Sequence, residues 1–79
     1  MSLRIIIKPD QIEHWITDRE GTPARHRDTD ALTVLFDGDK PGYDSLSFDE
    51  LIEAMKATHS VLLVDQEAGK TFHKFVQHG

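Results

Sequence analysis

Residues 46–56, LSFDELIEAMK, carry the clearest structural signal in the chain. Ser47 and Glu50 have the Ser-x-x-Glu spacing of a capping box, in which each side chain accepts a hydrogen bond from the backbone N–H of the other residue. Leu46 and Leu51 stand at the spacing of a hydrophobic staple around this box. The segment therefore predicts an amphipathic helix. The side chains of its predicted core face are Phe48, Leu51, Ile52 and Met55.

A first helix is predicted upstream of this segment. Asp10 stands where a helix N-cap is expected, and Glu13, three positions later, matches a second capping box. Gly21 is the predicted end of this helix, because glycine is common just past the last helical turn. The positions that repeat at the spacing of one helical face are Ile12, Trp15, Ile16 and Arg19.

Five short strands are predicted around the two helices. Residues 4–7 contain three β-branched isoleucines and predict a first strand. Residues 24–27 and 32–36 alternate as a first hairpin, and residues 61–64 and 71–76 form a second hairpin. The order β-α-β-β-α-β-β predicts the α+β class. We expect a small two-layer sandwich in which two helices pack on a mostly antiparallel sheet, with the whole chain as a single domain. The predicted core comprises Trp15, Ile16, Leu32, Val34, Phe36, Leu51, Ile52, Met55, Leu62 and Val64.

The composition restricts the possible functions. Of the 79 residues 38% are hydrophobic and 29% are charged, the balance of a folded domain, and 14 acidic against 9 basic residues leave a net charge of −5. This acidic balance disfavours nucleic acid as a partner, because phosphate binding needs Lys and Arg. The absence of cysteine excludes disulfides and thiolate chemistry and predicts a cytoplasmic setting. No apolar run approaches the ~20 residues that cross a bilayer, so no membrane association is expected.

Several motifs recur in an order that is known from other proteins. They are IxxW at 12–15, RxGxPA at 19–24, Thr29 ahead of an apolar strand, SFDEL at 47–51, VLLVDQ at 61–66 and FHKFV at 72–76. Together they resemble a family of small uncharacterised bacterial proteins, some of which are labelled 1,4-alpha-glucan branching enzymes. A glucan branching reaction needs a catalytic barrel with several carboxylates, and 79 residues are too few to build one. The resemblance therefore implies a fold and no mechanism.

No metal, cofactor or catalytic site is predicted. His14 and Asp18 share one helix face but supply only two ligands, whereas a metal site needs three or four. The serines lack the Gly-x-Ser-x-Gly context of a nucleophile. Asp65, at a strand end, is the one carboxylate for which burial is expected to raise the pKa.

The loop at residues 37–42 has part of the spacing of a calcium site. Asp37, Asp39 and Gly42 match positions one, three and six of an EF-hand loop. Pro41 at position five and Phe48 at position twelve do not match, because position twelve needs a bidentate glutamate. A surface turn is therefore predicted, which suits the Asp, Gly and Pro content.

The candidate binding residues form a basic and aromatic cluster. Arg19 ends the first helix, and Arg25 and Arg27 alternate along the following strand, so the three arginines could converge beside Trp15 to hold a carboxylate, a phosphate or an acidic peptide. Two structural alternatives stand beside this reading. They are a core position for Trp15 and pairing of the arginines with Asp28 and Asp30.

Three classes of function remain open. The first choice is a non-catalytic protein-interaction or regulatory module of a bacterial cytoplasm, which binds an unidentified protein partner or a second copy of itself through a sheet edge or an exposed face. The second class is a small enzyme, although the polar residues are spread along the sequence and do not indicate a cleft with converging titratable groups. The third is an anion or nucleic-acid binder that uses Trp15, Arg19, Arg25 and Arg27.

Overall fold

The computed structural model describes residues 2–36, 38 and 40–77, and it confirms the α+β class. The elements are β1 (Leu3–Ile6), α1 (Pro9–Asp18), β2 (Thr22–His26), β3 (Leu32–Leu35), β4 (Tyr43–Ser45), α2 (Phe48–Thr58), β5 (Ser60–Asp65) and β6 (His73–Gln77). Both predicted helices and both predicted hairpins are present. The sequence patterns do not predict strand β4. It has three residues, two of them polar, so it lacks an alternating apolar pattern and exists through its pairing with β2.

The strands form two antiparallel sheets in place of the single sheet expected. The first has the order β1-β5-β6 and the second the order β3-β2-β4, and every neighbouring pair is antiparallel. His73 of β6 joins the two sheets. Its ring Nε2 accepts a hydrogen bond from the Val34 N–H of β3 at 3.2 Å, and its Nδ1 donates to the Thr71 carbonyl oxygen at 3.0 Å.

One apolar core lies between the helices and the sheets. All ten residues predicted for it are buried in it or packed against it. Ile6 and Ile12 belong to it as well, although they are not among the predicted core residues. The fully buried large side chains are Ile12, Ile16, Leu51, Leu62 and Val64.

The predicted start of α2 is confirmed, and that of α1 is wrong. The Glu50 N–H donates to the Ser47 hydroxyl at 3.1 Å, and the Ser47 N–H donates to the Glu50 carboxylate at 2.9 Å. In α1, however, Lys8 is the N-cap, no side chain caps the helix, and Asp10 lies within the first turn. Pro9 takes the first helical position because it has no N–H to leave unsatisfied there.

The end of α1 is a Schellman motif. The Gly21 N–H donates to the Ile16 carbonyl oxygen at 2.9 Å, and the Glu20 N–H donates to that of Thr17 at 3.0 Å. The left-handed residue of the motif is Glu20, with φ of 56°, and Gly21 follows it. Gly21 is required for another reason: a Cβ there would lie 2.7 Å from a methyl group of Val34. The absence of a side chain thus lets the chain turn from α1 directly onto the core.

Candidate functional site

An open cavity of about 730 Å³ lies between α1, the inner face of the β1–β5–β6 sheet and the loop after β5. Trp15 and Arg19 line it, together with Arg4 from β1 and Asp10 and His14 from α1. Of the four predicted binding residues, the cavity therefore brings two together. Its wall carries both signs of charge, which does not favour a free anion.

Arg19 is committed to the protein itself. Its guanidinium lies 4.4 Å from the centre of the Trp15 ring and donates to the Trp15 carbonyl oxygen at 3.1 Å. It also donates to the carbonyl oxygens of Glu67 at 2.9 Å, Asp65 at 3.4 Å, and Lys70. These carbonyls lie at the end of β5 and in the β5–β6 loop, so Arg19 holds that loop against α1. Little of its hydrogen-bonding capacity is left for a ligand.

Trp15 takes the core position, the structural alternative to a binding role. Its side chain is buried, and its indole N–H donates to the Asp65 carbonyl oxygen at 2.9 Å. The ring also packs edge-on against Phe36, with centroids 6.1 Å apart. Trp15 thus supplies apolar area to the core while its polar atom is satisfied internally.

Arg25 and Arg27 lie on and just after β2 and form ion pairs there. Arg25 Nε is 3.8 Å from a carboxylate oxygen of Asp30, one of the two predicted pairing partners. Arg27 Nε is 2.9 Å from a carboxylate oxygen of Asp44 instead of pairing with Asp28. Asp44 belongs to the unpredicted strand β4, which explains why the sequence does not indicate this pair.

Asp65 is buried, yet its pKa is lowered, which corrects the expected rise. The Glu67 N–H donates to its carboxylate at 3.0 Å and the Ser2 N–H at 3.4 Å. The hydrogen bond from Glu67 is the main cause that lowers the pKa of Asp65, and it outweighs the opposing effect of burial. Asp65 therefore anchors the start of β1 and the β5–β6 loop, and it is a poor general acid.

His14 and Asp18, the two metal-ligand residues considered on α1, lie beside each other. His14 Nε2 and an Asp18 carboxylate oxygen are 3.1 Å apart on the exposed face of α1. Within residues 2–36, 38 and 40–77, no group of three or more His, Asp or Glu side chains is placed to hold an ion. The loop at 37–42 stays a prediction as a surface turn, because Asp37 and Asp39 lie outside the described residues.

The outer face of the β1–β5–β6 sheet is the surface that stands out. We define the outer face by the register, continued by one residue past β1 and before β6. It comprises Leu3, Asp65 and Phe72 in one row, Ile5, Leu63 and Lys74 in the next, and Ile7, Val61 and Val76 in the third. Seven of these nine side chains are apolar. The exposed fractions are 47% for Leu3, 58% for Ile5, 64% for Ile7 and 47% for Phe72.

The sequence contains a signal for this surface that motif analysis does not detect. Leu3, Ile5 and Ile7 alternate with Arg4 and Ile6, so β1 carries apolar side chains on both faces. In a two-layer fold the helices cover only one face of a sheet, so the other face of such a strand must be exposed. The β-branched run by itself predicts only a short strand.

Comparisons with known proteins return no relative: no family model, curated protein or solved structure matches the chain. Among the described residues, no helix combines the length and apolar character needed to cross a membrane. The resemblance to the small bacterial family therefore stays a prediction.

Proposed function

We propose that this protein is a non-catalytic interaction module that binds a protein partner through the outer face of its β1–β5–β6 sheet. The observation that carries the proposal is the exposure of Leu3, Ile5, Ile7 and Phe72 on one sheet face. The solvent face of an antiparallel sheet is normally polar, because hydrophobic and polar side chains alternate along its strands. An apolar solvent face therefore indicates a surface that is covered in the working state.

The exposure of apolar side chains to water favours a partner on this face. Monomeric proteins rarely expose contiguous apolar patches larger than a few hundred Å², and larger ones mark interaction sites. Each Å² of apolar surface that a partner removes from water contributes roughly 25 cal/mol. Two charged residues, Lys74 and the buried Asp65, interrupt the apolar side chains of the outer face. This composition suits an apolar protein surface better than a polar metabolite.

The alternatives have less support. The predicted anion or nucleic-acid site would use the guanidinium groups of Arg19, Arg25 and Arg27, and all three are engaged within the chain. An enzyme would need converging groups with perturbed pKa values, and the carboxylate of Asp65 is used by the backbone N–H groups of Glu67 and Ser2. A bacterial and cytoplasmic origin remains part of the proposal, because it rests on composition and on the family resemblance.

The experiment is a comparative capture from a lysate of the source cells. The bait proteins are the wild type, Ile5→Lys on the outer face, and Ala57→Lys on the exposed side of α2 as the matched control. We expect a partner that the wild type and Ala57→Lys retain and that Ile5→Lys loses. Thermal melts verify that the three proteins are folded. If the Ile5→Lys bait still captures every protein that the wild type captures, the outer face is not the binding surface.

A further inference from the structure

We propose that the free edge of β1 accepts an extended strand of the partner, in which apolar residues alternate with an acidic residue placed opposite Arg4. This inference rests on the proposed function and specifies the chemistry of the partner.

The backbone of β1 has open hydrogen-bonding groups on one side. The Gln66 N–H donates to the Ser2 carbonyl oxygen at 2.8 Å, which makes these two residues a hydrogen-bonded pair of the antiparallel ladder. Such pairs alternate, so Arg4 and Ile6 direct their N–H and C=O groups to β5. The N–H and C=O groups of Leu3 and Ile5 point away from it. In the described part of the chain, β5 is the only strand beside β1.

The side chains along this edge define what an added strand must carry. Leu3, Ile5 and Ile7 lie on the outer face, and the residues opposite them would extend that face, so apolar residues are required there. Arg4 lies on the inner face. The residue opposite Arg4 would form a non-hydrogen-bonded pair with it, in which the Cα atoms approach to about 4.5 Å.

Arg4 supplies the charge complementarity. Its side chain is exposed and lines the open cavity, which leaves room for an opposing carboxylate. Asp10 and Asp18 also line this cavity, yet among the described residues no ion pair joins either of them to Arg4. An oppositely charged cross-strand pair is stabilising, whereas a like-charged one is destabilising.

The same arginine argues against a second copy of this chain as the occupant. An antiparallel β1–β1 pair would be centred on Ile5, and the two Arg4 side chains would then face each other diagonally at about 7–8 Å on the same face. Both copies would also carry a net charge of −5. Arg4 thus discourages self-pairing of an edge that has no proline or bulge to protect it.

The partner motif follows from the alignment. Every neighbouring pair of strands in this sheet is antiparallel, and antiparallel pairing is slightly more stable per residue. An antiparallel partner strand therefore aligns with β1 in reverse. From its N-terminus it reads apolar, any residue, apolar, acidic, apolar, opposite Ile7, Ile6, Ile5, Arg4 and Leu3.

The test uses the purified chain and synthetic peptides with the central sequence Val-Thr-Val-Glu-Val or Val-Thr-Val-Lys-Val. Backbone amide NMR shifts of Leu3, Ile5 and Ile7 report on pairing at the edge. We expect the Glu peptide to shift these amides saturably and to bind roughly threefold to tenfold more tightly than the Lys peptide. Arg4→Glu should reverse this preference. Lys56→Glu, the same charge change on the exposed side of α2, should leave the order of the two peptides unchanged.

Three results would overturn the inference. The first is an absence of shifts at the three edge amides at millimolar peptide. The second is equal binding of the two peptides, or an unchanged preference in Arg4→Glu. The third is a concentration-dependent shift of the edge amides without peptide, which would identify a second copy as the occupant. These three results concern pairing at the edge of β1. They would not contradict a partner that is captured by the wild type and lost by Ile5→Lys, so the proposed function and this inference can fail independently.

Discussion

At the scale of single residues, Arg19 shows how a candidate binding group becomes structural. Its planar guanidinium contacts the Trp15 ring on one side and the carbonyl oxygens of Asp65 and Glu67 with its N–H groups. Arginine suits this role because its donors form a rigid fork and its plane stacks on aromatic rings. A lysine would offer neither property.

Replacing Arg19 by lysine should therefore be costly although the charge is kept. We expect Arg19→Lys to lower the free energy of unfolding by about 1–2 kcal/mol, because the forked hydrogen bonds to the β5–β6 loop are lost. Urea denaturation measures this change in the free energy of unfolding. Arg25→Lys is the matched control, since its exposed ion pair contributes at most about 1 kcal/mol. Equal effects of the two variants would contradict this role of Arg19.

The core side chains around Gly21 leave no space for a side chain at this position. A Cβ at this position would lie 2.7 Å from Val34, 3.0 Å from Phe36 and 3.2 Å from Ile16, and all three contacts are with core side chains. Gly21→Ala should lower the free energy of unfolding by about 1–3 kcal/mol through overpacking. Thr17→Ala, on the exposed side of α1, should change it by at most about 0.5 kcal/mol. A melting temperature of Gly21→Ala equal to that of the wild type would refute the steric argument.

At the scale of elements, the two helices begin in different ways. α2 begins with a reciprocal side-chain cap, and α1 begins with a proline and no side-chain cap. The cap of α2 is formed by Ser47 and Glu50, which are both exposed and close in sequence. Its energy is therefore local and can be tested without disturbing the core.

Ser47→Ala should destabilise the protein by roughly 0.5–2 kcal/mol, the usual loss when an N-cap side chain is removed. The reason is that the Glu50 N–H loses its acceptor. Thermal unfolding followed by circular dichroism measures the effect. Ser45→Ala, an exposed serine two residues away, provides the control. The binding of the Val-Thr-Val-Glu-Val peptide should be the same in both variants, because neither serine lies in the β1–β5–β6 sheet.

The cap also predicts a dependence on pH. The hydrogen bond from the Ser47 backbone N–H is the main cause that lowers the pKa of Glu50 below its ordinary value of 4.5. Since the folded pKa is lower than the unfolded one, the stabilisation is complete above the unfolded pKa and is lost as the pH falls through the folded pKa. The stability difference between wild type and Glu50→Gln should therefore shrink in acid. Urea midpoints at neutral pH and below the lowered pKa measure it, and a constant difference would contradict the assignment.

At the scale of the whole molecule, His73 connects the two sheets. Its Nε2 accepts from the Val34 N–H, and Phe36 and Phe75 pack edge-on against its ring. His73→Leu keeps an apolar side chain there but leaves the Val34 N–H without this acceptor. We expect a loss of about 1–3 kcal/mol in the free energy of unfolding and faster hydrogen exchange at the Val34 amide. Lys74→Leu, at the neighbouring exposed position, should leave that exchange rate unchanged.

Local interactions in this chain were predictable from its sequence. The capping box at Ser47 and Glu50 involves residues three positions apart, and the helical and alternating patterns report which side chains avoid water. Those two kinds of information were sufficient for the α+β class, both helices, both hairpins and ten of the side chains that lie in or against the core. They failed at Asp10 because a cap residue and a first-turn residue look alike in sequence, and Pro9 took the place that suits its missing N–H.

Long-range pairing was beyond the sequence patterns. Arg27 pairs with Asp44 across 17 positions, Arg19 holds carbonyl oxygens 46 to 51 positions away, and neither separation leaves a periodic signal. The same holds for the outer face: Leu3, Ile5 and Ile7 were visible as apolar residues, but their exposure depends on which side of the sheet the helices cover. Local hydrogen bonds and side-chain periodicity depend on residues that are close in sequence, so the sequence determines them. The free edge of β1 and the uncovered face of the sheet exist only after segments distant in sequence have packed together.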